Sequence, residues 1–229
     1  MNRRKFINKT LATGAAVSIS SATAFAGDRT SVKILGISCS PRKGKTTATA
    51  VQAALDAAKK VDGHIEVELL DLGGLEILGW SGGAKPNEAQ QITDDFDLIL
   101  PKLRDPDVGG WIIGSPSYFR SMSALCKAFL ERLAVLRSPK LLLADKPVGV
   151  LAVGAYRNGG QELVIEQIQA AMLCHEVMVV GGKPGAHQGA TLWNAYKDDI
   201  TKDEFGMDTA GKLGIRVAEA ALRLALRKP

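Results

Sequence analysis

From Val32 onward the chain alternates two hydrophobic patterns. Short, largely apolar runs cover Val32–Ser38, Ile65–Asp71, 108–114, Pro147–Gly154 and 176–180, and each reads as a strand. Between them lie segments whose apolar residues recur every three to four positions. Residues 46–60 place Val51, Ala54, Leu55 and Ala58 on one helical face, and 122–136 do the same with Met122, Leu125, Cys126, Phe129, Leu133 and Leu136. Helices are also predicted over 88–103 and Gln161–Leu173. A last helix over 209–227 turns Leu213, Val217, Ala220, Ala221 and Leu224 inward. Continuous apolar strands joined by helices imply an α/β fold with a parallel sheet covered on both sides.

The connection after the first strand carries candidate chemistry. VKILGISCSPRKGKTTATAVQAAL is a strand, a short Ser/Gly/basic loop and a helix, which points backbone N–H groups and a helix N-terminus at one spot suited to a phosphate. Ser40, Thr46 and Thr47 offer hydroxyls, Arg42, Lys43 and Lys45 offer charge, and Gly44 allows close backbone approach. Residues 39–46, CSPRKGKT, match the triphosphate-binding loop at Gly44, Lys45 and Thr46 but put Cys39 where its first glycine belongs. The strand over 108–114 then runs into Ser-Pro-Ser-Tyr, without the acidic residue that would hold magnesium. A single phosphate, as on FMN, suits the loop better than a triphosphate. Five strands with such a loop after the first suggest a flavodoxin-like, doubly wound five-stranded parallel sheet of order 2-1-3-4-5. The loops after strands one, three and four should then meet outside the carboxyl ends of the strands.

Composition changes the picture mainly at the N-terminus. Of the formal charge of +5 over 229 residues, Arg3, Arg4, Lys5 and Lys9 supply four, with no acid before Asp28, so the remainder carries +1. Neither a nucleic-acid stripe nor a polybasic membrane patch is expected. Residues 1–10 are basic and polar, 11–23 mildly apolar, and Ala24-Phe25-Ala26 has the small-x-small form of a cleavage site. Asn2-Arg3-Arg4-Lys5-Phe6-Ile7 resembles the twin-arginine export signal, departing from its usual form at Asn2 and Ile7. Residues 1–26 are therefore expected to be a twin-arginine-type leader, cut or kept as an anchor, ahead of one domain at 32–229 in the periplasm. No later segment approaches the roughly 20 apolar residues a membrane span requires.

Cys39, Cys126 and Cys174 lack metal-ligand spacing; Cys126 and Cys174 are expected as small buried residues and Cys39 as a plain loop residue. His64, His175 and His187 are scattered and expected to be surface or structural residues. No metal site and no catalytic side chain is predicted.

Two further loops suit one flat ligand. After the third strand come Ser115, Pro116, Ser117, Tyr118, Phe119, Arg120 and Ser121, a stiffened turn with flat apolar surface, in which Ser121 is a candidate helix N-cap. After the fourth come Ala155, Tyr156, Arg157, Asn158, Gly159 and Gly160, where paired glycines allow close backbone approach. With these loops quoted, the chain resembles the NADPH-dependent FMN reductase and iron–sulfur flavoprotein branch of the flavodoxin-like superfamily. The resemblance rests on GISCSPRKGKTTATA, ITDDF, GSPSYFRSMSALCKAFLERL and VGAYRNGGQE. It implies that Ser40, Arg42, Lys45, Thr46 and Thr47 hold the FMN phosphate. It further implies that Pro116, Ser117, Tyr118 and Phe119 line the flavin ring, and that Ala155, Tyr156, Arg157, Gly159 and Gly160 complete the pocket.

The iron–sulfur members carry a cysteine cluster between the second strand and the Asp-Asp pair. Here that segment, GGLEILGWSGGAKPNEAQQITDD, has no cysteine. Thiolates hold such clusters, so flavin alone is expected, with the loop over 73–87 serving as a lid, a subunit contact or a mobile segment. The flavin carries the chemistry. The expected function is an FMN-dependent oxidoreductase passing hydride or electrons between a donor and a small acceptor such as a quinone or free flavin. NAD(P)H is one donor; a redox partner protein is another, because nicotinamide is scarce outside the cytoplasmic membrane. The alternatives are an exported flavodoxin-like electron carrier and, third, a flavin-free nucleotide-binding protein. The resemblance also implies a dimer or tetramer.

Overall fold

Inside the sheet lies β1 (Val32–Ser38), which is buried along nearly its whole length. It pairs in parallel with β2 (Ile65–Asp71) on one side and β3 (Val108–Tyr118) on the other. These elements belong to a computed structural model that describes residues 31–81 and 94–225. The expected leader, residues 82–93 and residues 226–229, where the last helix was expected to end, lie outside the described residues.

Beyond Tyr118 the chain folds back as β4 (Ser121–Met122), antiparallel to the end of β3. β5 (Pro147–Gly154) then pairs in parallel with β3. Two short strands share the far side of β5. β6 (Met178–Val179) lies against Pro147 and Val148, while β7 (Ala190–Trp193) lies against residues 151–154. The parallel strands follow the expected flavodoxin-like order, with the fifth position divided between β6 and β7.

α1 (Thr46–Lys59) and α5 (Glu204–Ala225) cover one face. Val51, Leu55, Leu213 and Val217 lie there against Ile34, Ile112 and Leu151. α2 (Phe96–Leu103), α3 (Ala124–Arg132) and α4 (Gln161–Leu173) cover the other, closing Phe96, Phe129 and Ile165 over Ile37, Trp111 and Val150. α1 and α5 cross closely because Gly214 has no side chain; a Cβ there would overlap the Ala54 carbonyl. No helix among the described residues is long and apolar enough to cross a membrane.

Several boundaries differ from expectation for local reasons. The third strand runs to Tyr118, so Ser115, Pro116 and Ser117 belong to the strand rather than to a loop. Ser123, not Ser121, caps α3: its hydroxyl accepts from the Cys126 N–H at 3.0 Å, while Ser121 and Met122 form β4. The helix expected over 122–136 therefore starts at Ala124 and tightens into a 3-10 turn over Leu133–Leu136. The strand expected over 176–180 shrinks to two residues, with Glu176 in a left-handed conformation. α5 begins five residues earlier than predicted, where the Asp203 carboxylate accepts from the Gly206 N–H at 3.2 Å.

Candidate functional site

The loop between β1 and α1 is tied down at both ends. Cys39 donates its N–H to the Gly114 carbonyl of β3 at 2.8 Å. The Cys39 carbonyl accepts from the Ser123 hydroxyl at 2.6 Å. Gly44, with φ of 65°, gives its N–H to an Asp71 carboxylate oxygen at 2.7 Å, and the other Asp71 oxygen accepts from Gly73 at 3.1 Å. Ser40, Thr46 and Thr47 are buried, whereas Arg42, Lys43 and Lys45 reach solvent. Lys45 stands at the N-cap of α1 without a side-chain cap, so the first N–H groups of a 14-residue helix have no intrahelical partner. That is a positive helix end flanked by hydroxyls and cations.

The other two loops lean on each other. Phe119 and Arg120, with φ of 52° and 64°, form the tip of the β3–β4 hairpin. The Ser117 hydroxyl donates to the Gly159 carbonyl at 2.5 Å. Gly160 has φ of 86°, and a Cβ on it would sit 2.8 Å from the Arg120 Cα, so the hairpin tip rests directly on its backbone. The Gln161 amide donates to the Tyr156 carbonyl at 2.8 Å and the Leu192 carbonyl at 3.2 Å, fastening the β5 loop to β7. Loops one and three are joined through Cys39 and loops three and four through Ser117, at the carboxyl ends of β1, β3 and β5.

Thus the three loops named from the sequence meet at one rim of the sheet, with individual side chains differing in exposure. Pro116 is buried and Ser117 half-buried. Tyr118 is 41% exposed, Tyr156 76% exposed and Phe119 fully exposed, so these rings stand at the mouth of the cleft. Ala155 and Arg157 are exposed, and Gly159 and Gly160 are half-buried.

A fourth contributor was not foreseen. The residues after β7 return to the phosphate-type loop: Arg42 Nη1 contacts both Asp198 oxygens, at 3.0 and 2.8 Å. Asn194 donates to Asp198 at 2.9 Å and, through its N–H, to the Gly154 carbonyl at 2.8 Å. Bonds from Asn194 and Arg42 hold the Asp198 carboxyl below its ordinary range. Arg157 stacks on Trp193 with 4.2 Å from guanidinium to ring centre, and the indole N–H donates to the Ala155 carbonyl at 3.2 Å. The sequence signal was the polar run Asn-Ala-Tyr-Lys-Asp-Asp after a short apolar stretch.

The cysteines divide differently from expectation. Cys174 is exposed, while Cys39 is fully buried beside Cys126. Burial pushes the Cys39 thiol well above its ordinary pKa, with Cys126 adding to the shift. Such a thiol is inert. The Asp-Asp pair of ITDDF is structural: Asp94 pairs with Arg132, and Asp95 accepts from the Glu76 N–H at 2.9 Å. Among the described residues no group of three or more metal-ligating side chains occurs.

Residues 32–191 match the model of a family described as NADPH-dependent FMN reductase. The chain belongs to the NADPH-dependent FMN reductase family. Similar proteins include an iron–sulfur flavoprotein of Methanocaldococcus jannaschii, 40% identical over 191 residues, covering 82% of this chain and 96% of that protein. An iron–sulfur flavoprotein of Methanosarcina thermophila is 34% identical over 184 residues, covering 80% and 93%. Among solved structures, RosB superposes with a TM-score of 0.67 at 17% identity, covering 86% and 81%. A WrbA-like flavodoxin of Agrobacterium tumefaciens gives 0.57 at 15%, covering 84% and 99%. These two likenesses concern the fold.

Polar groups left unpaired near this rim suit a group such as FMN. Ser38 Oγ and Asn194 Oδ1 are buried without a protein partner at the carboxyl ends of β1 and β7. The uncapped start of α1 suits a phosphate.

Proposed function

We propose that the chain holds FMN in this cleft and transfers hydride or electrons from a donor to a small acceptor such as a quinone or free flavin. Ser40, Arg42, Lys45, Thr46 and Thr47 take the phosphate; Pro116, Ser117, Tyr118 and Phe119 border the ring; Ala155, Tyr156, Arg157, Gly159 and Gly160 close the far side. The observation that carries this reading is the joining of the three loops, through Ser123 to Cys39 and through Ser117 to Gly159. An uncapped helix start and flat aromatic surface thereby share one rim.

Bound flavin supplies the redox chemistry; the chain binds it, orients it and controls access. The exposed rings of Phe119 and Tyr156 provide a landing surface for a planar acceptor. The segment before the Asp-Asp pair lacks cysteine, which supports flavin without an iron–sulfur cluster. The Arg-Arg leader supports twin-arginine export into the periplasm, where a redox partner protein substitutes for NAD(P)H as donor. An absorption spectrum of the protein isolated from its native compartment tests the cofactor. Flavin bands without the broad iron–sulfur shoulder are expected, and a colourless protein would refute the proposal. Stopped-flow reduction by NADPH and NADH then separates a nicotinamide-driven reductase from a partner-fed one.

A further inference from the structure

The mouth of the cleft holds two cations that the cofactor's phosphate does not need. Arg120 and Arg157 are both exposed, and neither has a carboxylate partner among the described residues. Each is held in place by its neighbours. The Cα, Cβ and Cγ of Arg120 lie over Gly160, where a Cβ would meet them at 2.8, 2.8 and 3.0 Å. Arg157, three residues from Gly160, is stacked 4.2 Å from the Trp193 ring, whose N–H is anchored on Ala155. α4 starts at Gln161 beside them, with Gly160 as an N-cap that offers no side chain, so a positive helix end lies next to Arg120.

The hairpin tip is costly to build. Phe119 and Arg120 are both left-handed without being glycine, a conformation that stores backbone strain. A two-residue hairpin turn of this kind is normally made from Asn-Gly or Gly-Gly. The strained turn displays one fully exposed aromatic ring and one unpaired guanidinium side by side. A ring-and-cation pair on one loop, resting on the loop that carries Tyr156 and Arg157, matches a flat ring that carries negative charge.

We propose that Arg120, with Arg157 on the adjoining loop, forms an anion-reading rim that selects planar aromatic electron acceptors bearing an acidic substituent, such as a sulfonated or carboxylated quinone. This rests on the reading of the cleft as an FMN site. In each turnover the quinone gains two electrons and two protons and leaves as the quinol, while the reduced cofactor returns to its oxidised form. The anionic substituent takes no part in the chemistry; it sets where the ring docks.

The test uses the FMN-loaded full chain, reduced photochemically without nicotinamide and mixed in stopped flow with 1,4-naphthoquinone or 1,4-naphthoquinone-2-sulfonate. Reoxidation is followed at the flavin absorbance as a function of quinone concentration. For Arg120→Glu the half-saturating concentration of the sulfonate should rise about tenfold, and that of the neutral quinone should stay within about twofold. Arg120→Lys should restore most of the loss. In the wild-type chain, added salt should weaken the sulfonate and leave the neutral quinone unchanged, a measurement that needs no variant.

Equal losses for both quinones, or no salt effect on the sulfonate, would overturn the proposal. So would a change of oligomeric mass in Arg120→Glu, which would make the residue a subunit contact. Slowed reduction by NADPH but unchanged reoxidation by the sulfonate would assign the rim to the dinucleotide and equally overturn it. A wild-type chain that retains no flavin sinks the underlying cofactor reading instead, and the absorbance before mixing reveals that first.

Discussion

Gly160 offers a test of whether the loops after β3 and β5 are one rigid unit. Replacing it with alanine introduces two separable costs. The first is backbone: with φ of 86° and ψ of 21° the residue lies in the left-handed region, where a Cβ costs about 1–2 kcal/mol. The second is steric, because the new Cβ would stand 2.8 Å from the Arg120 Cα, against about 3.5–4.0 Å for carbon atoms in contact. A Cα cannot rotate aside as a side-chain tip can, so overpacking adds about 1–3 kcal/mol. Gly44 is the internal control: its φ is 65°, and nothing lies within 4 Å of a Cβ there. Gly44→Ala should therefore lose about 1 kcal/mol from backbone strain alone, and Gly160→Ala about 2–5 kcal/mol.

The larger loss has two outlets. If the hairpin stays seated, it appears in the urea midpoint of the apoprotein followed by circular dichroism. If the hairpin lifts, the 2.5 Å bond from Ser117 to Gly159 breaks and the loss appears as weaker FMN binding in a flavin fluorescence titration. The sum of the two changes is the quantity predicted. Should Gly160→Ala and Gly44→Ala agree within about 0.5 kcal/mol on both measurements, the loops do not bear on each other as described.

Three further outcomes are expected. Ellman's reagent should titrate one thiol per native chain and three in urea, with the native signal lost in Cys174→Ser, because only Cys174 of the three is exposed; native labelling of Cys39 would refute its burial. His175 is buried, its Nδ1 has no partner, and desolvation followed by the Arg137 charge lowers its pKa from 6.5. Its unfolded form thus takes up a proton more readily than its folded form, so its contribution to stability is complete above pH 6.5 and falls as pH drops below that value; His175→Gln should flatten the fall in urea midpoint from pH 7 to 5. Arg42→Ala should weaken FMN about tenfold by removing a charge-assisted contact to phosphate while leaving riboflavin affinity unchanged, and equal effects on both would move Arg42 away from the phosphate.

What was legible in the sequence follows how local each determinant is. The ends of β1 and β5 emerge from their apolar runs, because these strands lie inside the sheet with both faces covered; β2 is the edge strand, and Glu66 and Glu68 interrupt its apolar run. β7 was missed: Ala190–Trp193 is four residues long, follows a glycine-rich stretch and depends on the carboxyl half of β5 for its partner. The three loops were readable since each contains its own Gly, Ser or aromatic signature. Asp198 was not, because its partner Arg42 lies 156 positions earlier and only the path of β7 brings the two together. Cys39 shows the same limit: nothing in CSPRKGKT shows that Ser123 will draw the Cys39 carbonyl into the core.

The amides of the first loop also decide between one phosphate and three. A triphosphate-binding loop wraps its ligand with successive backbone N–H groups. Here the Cys39 N–H is committed to Gly114, the Arg42 N–H to Ser40 Oγ at 3.2 Å and the Gly44 N–H to Asp71. What remains is the start of α1, where Thr46 and Thr47 add hydroxyls to the N–H groups a helix leaves unpaired. Asp71 fixes the loop beside them by binding Gly44 and Gly73 together. A carboxylate that holds the loop shut against β2 would repel a second and third phosphate at the same place. The near-match to the triphosphate motif at Gly44, Lys45 and Thr46 therefore describes a loop with the right residues and its amides already spoken for.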